Sequence, residues 1–320
     1  MKKLRFGIVS ASSIVPRFIR ALNSTNKAEV VAIASLSNKA IKLAQEFNIP
    51  KVYSSYQALY KDSEIDVIYV ANIHDQHAQE IRNALNHNKH VLGEKPFVLN
   101  PQEVDELFEL AKEKNRFLME AQKSVFLPVT LDLIEIIKSN KLGKLYQVSM
   151  NNSYAGRYPD DHWMHQAHQG GVWIPSANYI LEYLNVVLET QPQEINALWS
   201  TYSDQKTIDE VALTMKYNDI IVTASLTTRL QTDDMTRFYF ENGYVVIRQN
   251  WKARQLAIHY HDDRESEIIS HPEDHELKYE LEHVIDRINQ GHLTSDVMSP
   301  DITKNCVDLV HQIYLLSQQG

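Results

Sequence analysis

Short β-branched runs alternate with helical stretches over the first 120 residues, and this rhythm limits the possible folds more than any other feature of the chain. It is typical of parallel strands joined by helices that cover both faces of a sheet. Strands are predicted at residues 4–9, 29–35, 66–71, 90–92 and 117–120, and helices at residues 15–24, 39–47, 76–86 and 101–114. We therefore expect an α/β fold that begins with a doubly wound parallel sheet of the Rossmann type.

The rhythm changes after Gln122. One helix is predicted at residues 129–139, with strands at 144–154, 194–202, 211–217, 220–228, 237–241 and 244–248. Asn218-Asp219 and Asn242-Gly243 are typical hairpin turns, so the second sheet is expected to be large and mostly antiparallel. Further helices are predicted at residues 172–188, 274–289 and 300–316.

A length of 320 residues fits two domains. The change of rhythm predicts a dinucleotide-binding domain at residues 1–122 and an α+β domain at residues 123–320. The family resemblance given below implies that this second domain serves substrate binding and oligomerisation. The alternative for the last helix, at residues 300–316, is that it packs back on the first domain.

Composition and charge exclude several classes of protein. Hydrophobic residues make up 43% and charged residues 23%, which is typical of globular domains and argues against disordered or fibrous chains. The net charge of −9, with no lysine or arginine run, argues against nucleic-acid binding. The longest apolar runs have about five residues, against the roughly 20 that a membrane helix needs, so no membrane partner is expected.

The N-terminus and the cysteine content predict a cytoplasmic location. The first residues lead directly into a strand, without the apolar core of a secretory signal. The single cysteine, Cys306, can form no internal disulfide and lies in the helical pattern at residues 300–316. We expect it to be a buried structural thiol in a reducing compartment.

The turn after the first strand is the candidate phosphate site, although it has no glycine. A dinucleotide-binding turn has the pattern G-x-G-x-x-G, whereas residues 10–15 are Ser-Ala-Ser-Ser-Ile-Val. The whole chain has only nine glycines, so general glycine depletion is part of the explanation. The candidate cofactor residues lie where a helix N-terminus would present free N–H groups to a phosphate: Ser10, Ser12, Ser13 and Ile14. The alternative is that the serines only cap the helix.

The end of the second strand bears on the choice of nicotinamide cofactor. A carboxylate there would bind the ribose 2′-OH and repel a 2′-phosphate, but residues 35–39 are Ser-Leu-Ser-Asn-Lys. The hydroxyls of Ser35 and Ser37 and the amide of Asn38 suit a phosphate better. NADP(H) is therefore favoured, with NAD(H) as the alternative. The competing interpretation is that Ser37 or Asn38 caps the next helix.

The segment Glu94-Lys95-Pro96 follows a predicted strand at the carboxyl edge of the sheet, where ligands bind in open α/β folds. It resembles the Glu-Lys-Pro motif of the Gfo/Idh/MocA (glucose–fructose oxidoreductase/inositol dehydrogenase) family. Other landmarks of that family have similar segments here, in the same order: residues 68–77, 117–121 and 142–145. The resemblance covers essentially the whole chain. Residues 12–18 and 118–128 are most similar to the branch with dimeric dihydrodiol dehydrogenase and NADP-dependent xylose dehydrogenase.

The resemblance implies two catalytic residues. Lys95 matches the family's catalytic lysine, which would hold the substrate oxygen and help to move its proton. Tyr179 matches the second acid/base of the family's Gly-Gly…Asp-x-x-x-His/Tyr helix, although the aspartate position is Pro175 and the glycine position is Ala177. Without the resemblance, Lys95 would be interpreted as a surface lysine and Tyr179 as a core residue of an amphipathic helix.

The resemblance also extends the set of cofactor residues. Asn72, His74 and Glu94 match residues on the nicotinamide side of the family's pocket. Three neighbours complete the expected set: Ala71, His77 and Lys95.

Three histidines, His162, His165 and His168, lie just before the predicted helix at residues 172–188. No cysteine or acidic residue completes a metal-ligand spacing, so no metal site is expected. A substrate-facing loop is the better interpretation, with His162, Trp163 and Asn178 as candidate substrate residues.

These observations predict an NAD(P)-dependent oxidoreductase. The resemblance implies hydride transfer between nicotinamide and a hydroxyl/carbonyl carbon of a sugar, polyol or cyclic diol, by a homodimer or homotetramer. The alternative is a catalytically retired member that binds a dinucleotide or sugar as a sensor or regulatory partner. The missing glycines and aspartate argue for this alternative, and the retained Lys95 and Tyr179 argue against it.

Overall fold

Six parallel strands form the first sheet, as the alternation predicts. The computed structural model of the chain describes residues 3–154, 162–201 and 206–319. The strands are β1 (Leu4–Val9), β2 (Ala28–Ala34), β3 (Lys51–Tyr53), β4 (Val67–Val70), β5 (His90–Glu94) and β6 (Leu118–Ala121). Their order across the sheet is β3-β2-β1-β4-β5-β6, which is the doubly wound order of dinucleotide-binding folds. The predicted fold class of this part is confirmed.

Helices connect these strands, and the strands are covered on both faces. The helices are α1 (Val15–Thr25), α2 (Lys39–Phe47), α3 (Tyr56–Lys61), α4 (His77–Asn86) and α5 (Pro101–Glu113). All residues of β4 and β6 are buried. This explains the apolar sequence of β4, whereas β6 buries the carboxylate of Glu120 among apolar residues. The pattern does not predict β3 and α3, because β3 has only three residues and none of them is fully buried.

Asparagine occupies left-handed positions that glycine usually fills. Asn26 ends α1 with φ 56°, and Asn48 ends α2 with φ 55°. Asparagine tolerates this conformation better than other residues that have a Cβ. The chain therefore ends its helices normally although it has few glycines.

Residues 274–307 group with the N-terminal sheet to form the first compact unit, together with the residues up to Gln122. Helix α9 (Lys278–Asn289) packs on α1, and Leu118 N donates a hydrogen bond to Leu293 O (3.0 Å). The sequence-based division places this segment in the second domain. An amphipathic pattern shows which face of a helix is buried, but it does not show which part of the protein that face packs against.

Eight strands form the sheet of the second unit, which comprises Lys123–Glu273 and the segment from Asp308 onward. They are β7 (Leu145–Ser153), β8 (Glu194–Ser200), β9 (Glu210–Tyr217), β10 (Ile220–Thr227), β11 (Met235–Phe240), β12 (Gly243–Arg248), β13 (Gln255–Tyr260) and β14 (Glu267–Ser270). Their order is β14-β13-β12-β11-β7-β10-β9-β8, and all neighbours are antiparallel except β7 and β10. The prediction of a large, mostly antiparallel sheet is confirmed.

The remaining helices are α6 (Pro128–Lys138), α7 (Trp173–Ser176), α8 (Asn178–Val187) and α10 (Pro300–Ser317). Cys306 on α10 is buried, as predicted. None of the helices in the described ranges is both long and apolar enough to cross a membrane.

The two predicted hairpin turns have different outcomes. Tyr217 pairs with Ile220, so Asn218-Asp219 is a turn as predicted. Phe240 pairs with Gly243, so the second turn is Glu241-Asn242 and the prediction at Asn242-Gly243 is wrong by one residue. Gly243 lies in β12, where a Cβ would be 2.2 Å from His259 O. Close strand pairing, and not turn geometry, requires this glycine.

Two other differences concern strands of the second sheet. The predicted strands include neither β13 nor β14. None of the four residues of β14 is buried, whereas β13 buries Leu256 and Ile258. Strand β8 ends at Ser200, and Tyr202, its predicted end, lies outside the described residues.

Candidate active site

The turn from β1 to α1 keeps the left-handed backbone of a dinucleotide-binding turn without its glycine. Ser10 has φ 87°, and its N–H donates to Ala34 O on β2 (2.8 Å). Glycine adopts this conformation without cost, whereas a serine there is strained and must be held by its neighbours. The lost glycine therefore did not change the course of the chain at this position.

Ser12 has an unsatisfied hydroxyl at the N-terminus of α1. Its Oγ is buried and has no hydrogen-bond partner among the described residues. Ile14 is the N-cap, no side chain caps the helix, and the first turn has no acidic residue. The alternative in which the serines cap α1 is therefore wrong. A buried hydroxyl beside an uncapped helix N-terminus fits an anionic ligand.

The segment after β2 presents hydroxyl groups to solvent. Ser37 Oγ lies 3.1 Å from Ser35 Oγ, and Ser37 N donates to Ser35 Oγ (3.2 Å). Asn38 is the N-cap of α2 but makes no side-chain capping bond. Ser37 Oγ accepts a long bond of 3.5 Å from Lys39 N, so it caps α2 only weakly. The hydroxyls remain accessible to a phosphate.

The segment after β4 is held by a buried histidine. His77 is 0% exposed, with Nδ1 2.8 Å from Pro96 O and Nε2 3.1 Å from Asn72 O. Burial lowers the pKa of His77, although hydrogen bonds to backbone carbonyls act in the opposite direction. A neutral, fully buried ring cannot reach a ligand directly. It joins the segment after β4 to the one after β5.

Asn72 and His74 are the other polar residues at the end of β4. Asn72 Nδ2 donates to Gln76 Oε1 (3.1 Å), whereas Asn72 Oδ1 is buried without a partner in the described residues. His74 is 8% exposed, and its ring meets that of His77 edge-on at 5.7 Å. Asn72 thus offers an acceptor at the carboxyl edge of the sheet.

The Glu94-Lys95-Pro96 segment is fixed at three backbone positions. Lys95 N donates to Glu94 Oε2 (3.1 Å), His77 contacts Pro96 O, and Phe97 N donates to the buried Glu120 Oε1 (2.9 Å). The Lys95–Pro96 peptide bond is cis. Because the backbone is held on both sides of Lys95, the position from which its side chain extends is fixed.

Glu94 is itself anchored by a buried tyrosine. Tyr69 OH donates to Glu94 Oε1 (2.6 Å), and the Tyr69 ring stacks on Phe18 at 3.7 Å. Burial and the Glu94 charge raise the pKa of Tyr69 well above its usual range, so Tyr69 remains a donor. Both Glu94 oxygens are used, which makes Glu94 an orienting group for Lys95.

The parallel register brings the candidate cofactor residues to one edge of the sheet. Four of these residues come directly after four neighbouring strands: Ser10 after β1, Ser35 after β2, Ala71 after β4 and Lys95 after β5. Two buried oxygens at this edge, on Ser12 and Asn72, have no partner in the described ranges. The residues present therefore fit a nicotinamide dinucleotide.

In the second unit, a pair of glycines holds the histidine-rich segment. Gly171 has φ 74°, and its N–H donates to Met164 O (2.8 Å). A Cβ on Gly170 would lie 2.2 Å from the same oxygen, so a larger residue does not fit. His162 Nδ1 accepts a bond from Met164 N (3.2 Å), and its ring lies 5.3 Å from that of Trp163.

No metal site is found in the described ranges: none of their His, Cys, Asp and Glu residues form a group of three or more that could hold an ion. His162, His165 and His168 are included in that search. The substrate role predicted for His162 and Trp163 stays a prediction.

Helix α7 ends at Ser176 and α8 begins at Asn178, so the single helix predicted at residues 172–188 is wrong in detail. Pro175 lies within the short α7 and cannot donate a helical hydrogen bond. The break places Asn178 and Tyr179 in the first turn of α8.

Tyr179 is held at both its ring and its backbone. It is 8% exposed, and its ring centroid lies 6.2 Å from that of Tyr154 and 6.3 Å from that of Trp251. Asn250 Nδ2 donates to Tyr179 O (2.9 Å). Burial raises the pKa of Tyr154 well above its usual range, and the charge on Tyr179 adds to this effect. Tyr154 therefore stays neutral and does not compete as a base.

Asn178 is a buried amide without hydrogen bonds. It is 2% exposed, and neither Oδ1 nor Nδ2 has a partner in the described part of the chain. Leaving such a group unsatisfied is costly, so a ligand or a water molecule is expected there. Its role as a substrate residue stays a prediction.

Sequence reasoning did not identify several residues that shape these sites: Tyr69, Glu120, Tyr154, Asn250 and Trp251. Each supports another side chain or backbone group, and no local motif marks that role. The nearest signal is position, because Glu120 lies in a short buried strand and Asn250 and Trp251 come just after β12.

Two sequence models of known families match the chain. The model described as "Oxidoreductase family, NAD-binding Rossmann fold" matches residues 4–122. The one described as "GFO/IDH/MocA C-terminal domain" matches residues 130–246. The first match covers the strands of the parallel sheet, and the second covers most of the strands of the other sheet.

One curated protein and two solved structures illustrate the similarity. Trans-1,2-dihydrobenzene-1,2-diol dehydrogenase from Mus musculus is 32% identical over 265 residues, or 80% of this chain and 78% of that protein. A 3-ketoreductase from Actinomadura kijaniata, solved with NADP and TDP-benzene, has a TM-score of 0.87 at 19% identity, covering 97% of this chain and 96% of that one. Levoglucosan dehydrogenase, solved with NADH and levoglucosan, has a TM-score of 0.87 at 16% identity, covering 99% and 97%.

Proposed function

The chain belongs to the Gfo/Idh/MocA family of NAD(P)-dependent oxidoreductases, from which we infer that it oxidises or reduces a hydroxyl/carbonyl carbon of a sugar, polyol or cyclic diol. One observation carries this proposal: the Glu94-Lys95-Pro96 segment is held rigidly at the carboxyl end of β5, in a sheet of dinucleotide-binding order. The name of the mouse relative supports a diol, and the name of levoglucosan dehydrogenase supports a sugar-like substrate. The name of the 3-ketoreductase supports reaction at a carbonyl carbon.

In the oxidative direction, NADP⁺ would take the hydride from the carbon that carries the hydroxyl group. We propose that Lys95 holds the hydroxyl oxygen and that Tyr179 shares in accepting its proton. Glu94 orients the lysine through its backbone, and Asn178 binds another polar group of the substrate. His162 and Trp163 are proposed to face the substrate as well.

We propose that the candidate cofactor residues bind different parts of the cofactor according to their position. Ser10, Ser12, Ser13 and Ile14 would bind the pyrophosphate, since they form the N-terminal turn of α1. Ser35, Ser37 and Asn38 would bind the 2′-phosphate. The remaining residues would line the nicotinamide side: Ala71, Asn72, His74, His77, Glu94 and Lys95. In this set, His77 acts through the backbone because it is fully buried.

The alternative function, a catalytically retired dinucleotide or sugar sensor, loses one of its arguments. It rested partly on the missing glycines, yet Ser10 adopts the left-handed conformation that a glycine would supply. The proline at position 175 remains its main support.

The proposed activity is tested with trans-1,2-dihydrobenzene-1,2-diol and a panel of aldoses and polyols, each with NADP⁺. Formation of NADPH, followed by its absorbance, with at least one of them supports an oxidoreductase acting on CH–OH groups. Cofactor binding without turnover on any substrate, in either direction, would support the sensor function instead.

NADP(H) is expected to bind more tightly than NAD(H), because no carboxylate follows β2. Ser37→Asp should weaken NADPH binding by about 10-fold or more and leave NADH binding nearly unchanged, since the new charge repels only the 2′-phosphate. Titration calorimetry with both cofactors measures this. Ser270→Asp, on the exposed β14, is the matched control. Tighter binding of NADH to the unmodified protein would contradict the preference.

We also propose that the chain forms a homodimer or homotetramer through the outer face of its second sheet. Leu198 on β8 is 79% exposed, and Ile221 on β10 is 49% exposed. Tyr244 on β12 stacks on His259 of β13 at 4.7 Å, which adds aromatic surface to the same sheet. Large exposed apolar patches are typical of interaction surfaces.

Light scattering at micromolar concentration should therefore give at least twice the chain mass of 37.0 kDa. Ile221→Glu should shift the population towards the monomer, because it places a charge in the interface. A monomer in the unmodified protein would contradict the proposal.

The cytoplasmic location also stays a proposal, and the single buried, free cysteine fits it.

A further inference from the structure

Asp234, just before β11 in the second unit, is a buried carboxylate with no role in the mechanism above. It is 1% exposed and has a left-handed backbone, with φ 52°. Its Oδ1 accepts hydrogen bonds from Ser153 N (2.8 Å), Ser153 Oγ (2.6 Å) and Thr232 Oγ1 (3.1 Å). Its Oδ2 accepts from Gln231 Nε2 (3.0 Å) and Gln249 Nε2 (3.2 Å).

Within the described residues, all the groups that donate hydrogen bonds to Asp234 are uncharged. Burial raises the pKa of Asp234, but the hydrogen bonds from Ser153, Gln249 and Thr232 outweigh it and leave that pKa below its usual range. Hydrogen bonds to an ionised acceptor are shorter and stronger than those between neutral groups. Asp234 is therefore a strong anchor for the segments that donate to it.

The first of these segments leads to the ring of Tyr179. Ser153 is the last residue of β7, and the next residue, Tyr154, packs its ring against Tyr179 with 25° between the ring planes. Tyr154 N donates to Thr227 O (2.9 Å), which fixes the backbone at this point. A shift of Ser153 would move Tyr154 with it.

The second segment leads to the backbone of Tyr179. Gln249 has a left-handed backbone, with φ 51°, and its N–H donates to Asp234 O (2.7 Å). The next residue, Asn250, donates to Tyr179 O, and the Trp251 ring lies 5.0 Å from that of Tyr154. Asp234 and Gln249, both with left-handed backbones, are thus hydrogen-bonded to each other. Gln249 begins the segment that contacts Tyr179.

The two segments are also joined directly. Asn152 Nδ2 donates to Asn250 Oδ1 (3.2 Å), and both residues are buried. The path from Asp234 through Ser153 and Asn152 to Asn250 and Gln249 therefore closes on itself. A closed network of this kind has fewer ways to relax than a single bond.

We propose that Asp234 is a positioning residue for Tyr179, acting through Ser153–Tyr154 on its ring and through Gln249–Asn250 on its backbone. The proposal rests on the proposed function, in which Tyr179 is an acid/base group. Positioning matters because a displacement of about 1 Å can cost about 100-fold in rate. Asp234 itself, which is 1% exposed, is assigned no contact with the substrate.

A double-mutant cycle tests the proposal, with trans-1,2-dihydrobenzene-1,2-diol and NADP⁺ as substrates. Asp234→Ala should lower kcat by about 10- to 100-fold when Tyr179 is present. In a Tyr179→Phe background the same change should lower kcat by less than about twofold, because the group that Asp234 positions is already gone. The KM for NADP⁺ should not change.

Two variants separate positioning from general destabilisation. Asp62, in the first unit, also has a carboxylate of lowered pKa, with 8% of its side chain exposed, and it accepts hydrogen bonds from Lys51 Nζ (2.9 Å) and Tyr53 OH (2.9 Å). Asp62→Ala should lower the melting temperature and leave kcat unchanged. Asp234→Asn keeps an acceptor for Ser153 and should restore most of the kcat that Asp234→Ala loses.

Equal losses of kcat in the two Tyr179 backgrounds would overturn the proposal, as would an unchanged kcat in Asp234→Ala. Should that variant not fold, Gln249→Ala replaces it in the cycle and removes one segment only, with the same criteria. If Tyr179→Phe lowers kcat and the Asp234 variants do not, the proposed function stands and this inference falls. An active protein that is indifferent to Tyr179→Phe would contradict the proposed role of Tyr179, and this inference with it, but not the oxidoreductase activity.

Discussion

Lys95→Ala is expected to lower kcat by about 10²–10⁴-fold, which is the usual contribution of a positioned acid/base group. The backbone around Lys95 is fixed by Glu94, His77 and Glu120, so loss of the ammonium group should not move the segment. Steady-state kinetics with the diol, at saturating NADP⁺, measure this effect. Cofactor affinity should change far less, because Lys95 is not assigned to the pyrophosphate or the adenine ribose.

Lys89→Met is the matched control for this change. Lys89 is a buried lysine of the same unit, and its Nζ donates to Asp62 O (2.6 Å) and Ile65 O (2.8 Å). Burial lowers the pKa of Lys89, so it shares this property with many catalytic lysines, yet its partners are structural. We expect Lys89→Met to reduce stability and leave kcat intact. Near-normal turnover in Lys95→Ala would mean that another acid/base group, such as His74 or His162, takes its place.

Tyr179→Phe is expected to lower kcat by about 10²-fold or more, though less than Lys95→Ala does. The phenylalanine ring keeps the contacts with Tyr154 and Trp251, so only the hydroxyl is lost. Because Pro175 replaces the carboxylate found at this position in the family, Tyr179 has less help in moving a proton, and Lys95 should bear the larger share. The ratio of the two kcat losses, measured under the same conditions, checks this order.

Tyr183→Phe provides the control on the same helix. Tyr183 is 0% exposed, and burial raises its pKa, so its hydroxyl stays protonated. Its removal should leave kcat within about twofold of the unmodified protein. A larger loss in Tyr183→Phe than in Tyr179→Phe would show that the assignment of Tyr179 is wrong.

Much of the first sheet could be predicted from the sequence, because buried parallel strands must be continuous apolar runs and their helices have a different period. The same reasoning failed at β3 and β14, which bury too little surface to leave a pattern. It also missed β13, which has only two buried residues. Lys95 was recognised because Glu-Lys-Pro is a local motif at a strand end. Asp234 and Trp251 have no such motif, since their contacts are made with residues far away in the sequence.

The sequence by itself determined the alternation of strands and helices, the change of architecture after Gln122 and the family landmarks, because each depends on neighbouring residues along the chain. Only the tertiary structure decided that Ser10 keeps the left-handed turn, that residues 274–307 join the first compact unit and that Asp234 accepts hydrogen bonds from three segments. These features depend on distant groups that meet after folding. A hydrogen bond such as that from Ser10 N to Ala34 O can hold a strained residue in place, and no local propensity encodes it.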